Sequence, residues 1–425
     1  MTGPNIRVGL DVGTTKVCAL AAELTPKGAG ILGLGMSPST GLKKGMVTNI
    51  DSTVESIRKA VREAEASSGV KIRSVSVGIS GCHIKGLDSS GAVGIRGKEV
   101  TRGDVARAIE SAKAVYIPLD REVLHVVPSE FTLDGQEGIT DPVGMSGVRL
   151  EAKVHIITGS VSSIQNLLKC CEKAGLGVAD VVFEPLASAQ AALTGDEKEF
   201  GVVLVDIGGG TTDLALFRDG TLRQAAVLGI GGNHLTNDMA VGFRISLPEA
   251  EKLKKASGAA YSGIAGPDEV SIPQAGGQMR TLPGNYIAEI LQPRCEEMLE
   301  LIKEEVRKCK GYEIAACGVV LTGGSSLLRG FDRMAESVLG LPVRIGSPAG
   351  VRGLKNMTEG PLYSTAVGLV TYHAVLAAEA ALSQAAVPGI FEKMKEKFRE
   401  LSVYTDYFSL NTKKEGGMLC LKSRK

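Results

Sequence analysis

The apolar positions of this chain alternate between two rhythms. In Arg7 to Leu24, and again in Val202 to Leu216, a short apolar run meets Asp-x-Gly, hydroxyl residues follow, and a second apolar run begins. Each reads as two buried strands joined by a glycine–threonine turn, a β-hairpin. A third run, Val319 to Thr322, ends in Gly323-Gly324, and Ser325-Ser326 then reads as the opening of a helix. Elsewhere the pattern turns helical. Phe183 to Ala192 is alanine-rich, Ala250 to Lys254 and Tyr286 to Lys310 carry mixed charge, and Leu362 to Leu382 is alanine-rich with His373 and Glu379 inside it. The last of these reads as a buried core helix rather than a membrane span. Ser257 to Gly284, rich in glycine, proline and alanine, reads as loop.

Near the end of the chain, Pro388-Gly389 break the preceding helix. Ile390, Phe391, Met394, Phe398 and Leu401 then recur at helical spacing, flanked by Lys393, Lys395, Lys397 and Arg399. Such a helix can lie in a membrane interface. It can equally pack on the protein's own surface or on a partner, and Glu392, Glu396 and Glu400 weaken any attraction to anionic lipid.

The two hairpins place Asp11 and Asp206 at the same offset before glycine and threonine, which reads as an internal duplication. Gly13 and Gly208, Gly209 and Gly210 let main-chain N–H groups line a concave turn that an anion can approach. Thr14, Thr15, Thr211 and Thr212 add hydroxyl donors. Asp11 and Asp206 would repel phosphate unless a divalent cation lay between, which implies magnesium held largely through water. Lys16 can neutralise phosphate charge directly. Gly323, Gly324 and Ser325 would present free N–H groups to a nucleotide's sugar and phosphates. One hairpin of this kind is also an ordinary turn; two in register carry the site reading. Gly28 to Gly33 matches G-x-G-x-x-G, but Gly35 and Pro38 follow, so no helix opens there. No G-x-x-x-x-G-K-[ST] occurs, which excludes a P-loop ATPase.

At 425 residues the chain is too long for one ordinary core and suggests about two to four domains. A net charge of +1 leaves no global basic field for nucleic acid. Fifty-four glycines and no tryptophan fit an α/β protein with many tight turns. None of the eight cysteines forms a C-x-x-C pair, as expected of reduced thiols in a cytosolic protein. The N-terminus lacks the basic and apolar regions of a signal peptide. His83, His125 and His155 are too widely spaced for a metal site and read as structural.

The order of these sites resembles the actin-like ATPase superfamily: hairpin one (Gly9 to Val17), a connecting helix (Phe183 to Ala192), hairpin two (Val205 to Leu216), an adenosine site (Leu321 to Gly330) and a second connecting helix at Tyr363 to Gly368. The segment from Gly81 to Gly159 carries Gly-Ile-Ser-Gly-Cys-His83, Glu99 to Ala108, His125-Val-Val-Pro128, Asp134 to Gly138, Asp141 to Met145 and Arg149-Leu150. It is similar to the subdomain 1C insert of the bacterial cell-division FtsA family. The resemblance implies an α/β, ribonuclease H-like, duplicated two-domain ATPase fold with that insert. Subdomain 1A would be 1–82 and 160–195, 1C 83–159, 2A 196–232 and 312–384, and 2B 233–311. Residues 385–425 would be a linker, a membrane-targeting helix at 390–401 and a tail.

By the same resemblance, Glu184 would orient the attacking water, with Asp206 beside it. Glu251 and Lys254, three apart on one helical face, would meet the adenosine of ATP. The family implies Mg2+, self-assembly into filaments, and contacts of subdomain 1C with later division proteins. It also implies a place on the cytoplasmic face of the inner membrane at the division septum. Subdomain 2B would receive the C-terminal tail of FtsZ, with Arg294 as the contacting base. Any ATPase would be slow, the role being mainly assembly. A pilus scaffold of the PilM type and a small-molecule kinase are the alternatives on the same fold. The short linker and the tail from Ser402 to Lys425 depart from the family pattern.

Overall fold

The computed structural model describes residues 5–25, 28–264, 269–273, 279–353 and 360–372. The segment 385–425 lies outside the described residues, and with it Ile390, Phe391, Met394, Phe398 and Leu401. Two sheets carry the duplication. In the first, Ile6–Val12, Lys16–Thr25 and Gly28–Pro38 form an antiparallel meander. Ile6–Val12 also pairs in parallel with Ser74–Ile79, which pairs in parallel with Gly177–Phe183. In the second, Val202–Ile207, Thr212–Arg218 and Thr221–Leu228 form the meander. Val202–Ile207 runs parallel to Val319–Thr322, and that strand to Val343–Ile345.

The hairpins match down to one hydrogen bond. Gly13 N–H donates to the Lys16 carbonyl at 3.0 Å, and Gly208 N–H to the Thr211 carbonyl at 3.0 Å. Val12 opposite Val17 and Ile207 opposite Thr212 close the two ladders, so Asp11 faces Cys18 while Asp206 faces Asp213. Val202–Ile207 is buried at every position, which explains its apolar run from Val202 to Val205. The first sheet packs Leu10, Val17 and Val77 against Ile57, Ala60 and Ala64 of the helix Ile50–Ser68. Asn49 caps that helix by accepting from Ser52 N–H, and Gly69, at φ 69°, ends it. The second sheet packs Val203, Val205 and Leu216 against Leu291, Met298 and Ile302 of Asn285–Lys308. Gly28 to Gly33 lies inside a strand, and no helix opens there. Val351–Arg352, within a stretch assigned by sequence to the second half, crosses back to pair with Gly28–Pro38.

Two helices lie where the halves meet: Glu184–Ala192 and residues 364–372. Gly368 sits so close to Ala187 that a Cβ there would collide with the Ala187 carbonyl. Small residues thus set the distance between the helices. Gly368→Ala should destabilise the protein by about 1–3 kcal/mol through overpacking, read as a lowered Tm; an unchanged Tm would mean that the crossing yields without strain.

Between Ser74–Ile79 and Val161–Lys173 the chain builds a separate sheet in the order Lys85–Gly94, Arg149–Ser160, Arg121–Leu133, Gln136–Ile139. The helix Arg102–Lys113, started by a Thr101–Asp104 capping box, covers it over Ala108, Phe131 and Leu150. The histidines here have structural partners. His125 Nε2 accepts from Phe183 N–H at 3.0 Å, His155 Nδ1 meets Asp88 at 2.6 Å, and His83 Nδ1 accepts from Ser160 N–H at 3.4 Å. Burial, with Arg121 nearby, lowers the His83 pKa to about 4.

The second half carries its own insertion, with helices Gly232–Phe243, Leu247–Ser257 and Asn285–Lys308. Ser257 to Gly284, read as loop, instead contains a hairpin pairing Glu269–Pro273 with Met279–Pro283. Its glycine and proline content hid the alternating Val270 and Ile272 that make a strand. Among the described residues no helix is long and apolar enough to cross a membrane.

Candidate functional site

The two glycine–threonine turns face one another. A side chain on Gly209 would strike Thr15, and one on Gly210 would strike Thr14. Thr14 Oγ1 accepts from Gly45 N–H at 3.1 Å, so the loop after the first meander folds over the turn. Thr212 Oγ1 is already committed, donating to the Ile230 carbonyl at 2.9 Å. Asp11 forms an ion pair with Lys16. Asp206 Oδ2 accepts from Ser188 Oγ at 2.6 Å and from Thr365 Oγ1 at 3.4 Å, one donor from each of the two helices between the halves. Asp213 Oδ1 accepts from Ser80 Oγ at 2.6 Å. The two helices between the halves therefore meet at Asp206, a carboxylate of the second hairpin.

Their electrostatics are strained. Burial pushes Glu184 well above the usual carboxylate range, and Asp11, Asp213 and Asp206 push it further, against Lys16. Burial also raises Asp206; Ser188 opposes this and Asp11 adds to it. Asp213 is pushed up to about 8, mainly by burial, with Ser80 opposing and Asp206 adding. Burial alone would lower Lys16, but Asp11 and Asp206 carry it above the ordinary lysine value. With Asp11 paired to Lys16, the buried Asp206, Asp213 and Glu184 crowd one another, and a divalent cation would relieve the repulsion between them. Among the described residues, no three His, Cys, Asp or Glu side chains are arranged to ligate a metal directly. A cation here would keep its water, as magnesium commonly does.

Beside the second hairpin, Lys254 Nζ lies 2.7 Å from Glu251 Oε2 and donates to the Gly232 carbonyl at 3.0 Å. Thr236 Oγ1 accepts from Lys254 at 2.8 Å and donates to Glu251 at 2.5 Å. Ser325 Oγ donates to the Gly208 carbonyl at 3.0 Å. Gly323, at φ 82°, lies against the Asp206 carboxylate, where a side chain would collide. Glu251, Lys254, Gly323, Gly324 and Ser325 are thus brought to the second hairpin. The helix expected at Ser325 is absent, however. Gly324–Leu327 is a 3-10 turn, and the α-helix Phe331–Leu339 begins only after Gly330. Ser326 Oγ donates back to the Gly323 carbonyl at 2.7 Å, and Gly330, at φ 76°, interrupts the helical path.

Sequence reasoning missed Asp213, Ser80, Ser188, Thr365 and Thr236. It also missed Gly231-Gly232, whose glycines opening a helix were a usable signal. Arg294 is engaged within the protein: its Nε donates to Asp238 Oδ2 at 2.6 Å, and Glu297 holds a second nitrogen.

Two sheets of one topology, each opening on a glycine–threonine hairpin and meeting across two helices, define an actin-like ATPase fold. Solved structures share it. The PilM–PilN type IV pilus biogenesis complex matches with a TM-score of 0.65, 18% identity, and 86% and 98% of the two chains covered. MreB5 of Spiroplasma citri bound to ADP matches at 0.54, with 15% identity and 89% and 98% coverage. Sequence narrows this. Cell division protein FtsA of Pseudomonas aeruginosa is 47% identical over 369 residues, 86% of this chain and 88% of that protein. That of Escherichia coli is 41% identical over 382 residues, covering 87% and 91%. Residues 203–368 match the family described as cell division protein FtsA, and residues 81–158 the SHS2 domain inserted in FtsA. The chain belongs to the FtsA family of cell division proteins.

Proposed function

We propose that this FtsA-family protein binds Mg-ATP between its two halves, polymerises, and tethers FtsZ filaments to the cytoplasmic face of the inner membrane at the division septum. The observation that carries the nucleotide reading is the convergence of Asp11, Lys16, Glu184, Asp206 and Asp213 on two facing turns. Magnesium, when bound, supplies the positive charge that lets phosphates approach Asp11 and Asp206. Lys16 neutralises phosphate directly, and the N–H groups of Gly209 and Gly210 line the second turn, while those of Gly13 and Gly208 close the hairpins themselves. Glu251, Lys254, Gly323, Gly324 and Ser325 bound the adenosine end. Glu184 orients a water, and hydrolysis is slow because positioning is all these residues offer. MreB5, of the same fold, was solved bound to ADP, which supports a nucleotide as the ligand.

Subdomain 1C, at 83–159, would contact neighbouring subunits and later division proteins. The 233–311 segment would receive the FtsZ tail, with Arg294 turning from Asp238 and Glu297 to that acidic peptide. The PilM likeness concerns fold alone, while the relatives above 40% identity are cell division proteins.

Co-sedimentation with lipid vesicles and FtsZ, with and without ATP, tests the reading. The full chain should carry FtsZ down with vesicles, and truncation at Pro388 should abolish vesicle binding through loss of Ile390, Phe391, Met394, Phe398 and Leu401. Unchanged vesicle binding after truncation would sink the tether. Phosphoryl transfer to a small acceptor at enzyme-like rates would instead favour a kinase.

A further inference from the structure

The SHS2 insert is fastened at two places of unequal firmness. Its root in the first half is close-fitting. From the first half, Phe183 N–H donates to the insert's His125 at 3.0 Å, and Val161 N–H donates to its Asp120 carbonyl at 3.0 Å. Its other contact is with Thr221–Leu228, the edge strand of the second sheet. An uncovered edge strand invites association with other chains, and the insert covers this one. The cover is loose. Gln224 reaches Asp88 at 3.5 Å, Arg223 reaches Glu130 at 3.5 Å, and Thr221 donates to the Ser129 carbonyl at 3.4 Å, all long for hydrogen bonds.

A cleft of about 250 Å³ is lined by Lys85 and Gly86 of the insert and Ala225 to Val227 of the edge strand. Beside it, the buried His155 ring gives Nδ1 to Asp88 and leaves Nε2 without a hydrogen-bond partner. A side chain on Gly86 would strike that ring, so glycine is what lets it lie against the seam. The edge strand also continues the meander that carries the candidate phosphate turn. Leu228 pairs with Thr212, whose hydroxyl holds the Ile230 carbonyl. A shift of the turn therefore displaces the strand that the insert touches.

We propose that this seam is a clasp, opened and closed by rotation of the two halves, which reports occupancy of the nucleotide site as the position of the insert. The proposal rests on the nucleotide reading above. Stretched polar contacts beside a cleft and an unpaired buried nitrogen part at small displacements, whereas the root moves with the first half.

Hydrogen exchange on the full chain, with no nucleotide, Mg-ADP and Mg-ATP, tests this. Exchange in Thr221–Leu228 and Lys85–Gly94 should change about tenfold between nucleotide states, alongside protection at Gly208 to Thr211. Arg223→Glu should bring seam exchange to the open level in every state with nucleotide affinity retained. Adding Glu130→Arg should restore the nucleotide dependence. Protected turns with seam exchange identical in all states would overturn the clasp alone. Turns unprotected by either nucleotide would overturn the nucleotide reading and the clasp with it.

Discussion

Asp206→Asn is expected to lower Mg-dependent ATP affinity about 100-fold, ≈ 2.7 kcal/mol, while leaving the nucleotide-free fold as stable as before or more so. The two halves of this expectation have separate causes. The amide keeps an oxygen that accepts from Ser188 Oγ and Thr365 Oγ1, so the link between the two central helices survives. What disappears is a buried charge that Asp11 repels in the absence of a cation. Removing it relieves the cluster and deprives a hydrated magnesium ion of one of its anchors. Calorimetric titration with Mg-ATP reads the affinity, and thermal melting without nucleotide reads the stability. Asp206→Ala should lose as much affinity and also stability, because Ser188 and Thr365 then lack their acceptor. Asp134→Ala is the control. Its carboxylate accepts from Val148 and Arg149 N–H within the insert, so affinity should hold. Equal affinities for the Asp206 and Asp134 variants would reduce the glycine hairpin to a turn.

The second large effect is on pH. Asp213 holds its proton in the fold up to about pH 8, against 3.8 for an ordinary aspartate. Between those values the folded protein binds one more proton than the unfolded chain, so stability falls as pH rises, by about 1.4 kcal/mol per unit. The contribution is fully present below the unfolded pKa and lost once pH passes about 8. Glu184, raised by burial and by its carboxylate neighbours, acts in the same sense. Asp104, lowered to about 2 by its bonds to Thr101 and Arg107, acts in the opposite sense, but only under acid conditions. Urea unfolding at pH 6 and pH 8, without magnesium, should show the loss, and Asp213→Asn should flatten it. Identical slopes for the wild type and Asp213→Asn would mean that Asp213 ionises normally in the fold.

The hairpins were legible because their chemistry is local. Asp-x-Gly followed by Thr-Thr specifies a turn, and the repeat of that pattern specifies a duplication; the matched Gly13 and Gly208 hydrogen bonds bear this out. The closing partners of the site were not legible, because they come from distant elements. Ser188 and Thr365 look like ordinary helix residues until folding places both on Asp206. Asp213 was hidden by the duplication itself, since its counterpart in the first hairpin is Cys18. The helix expected at Ser325 failed for a different reason: a serine hydroxyl that favours a helix start also stabilises a tight turn, and Gly330 let the turn prevail. Arg294 appeared as a free base in sequence, yet Asp238, 56 residues away, already holds it.

The most direct measurement is calorimetric titration of ATP into the full chain, once with magnesium and once with EDTA. The buried cluster of Asp11, Glu184, Asp206 and Asp213 should admit a triphosphate only with the divalent cation present. Saturable binding in magnesium that is lost in EDTA is the predicted result. Binding of equal strength in EDTA, or no binding in either, would contradict the account.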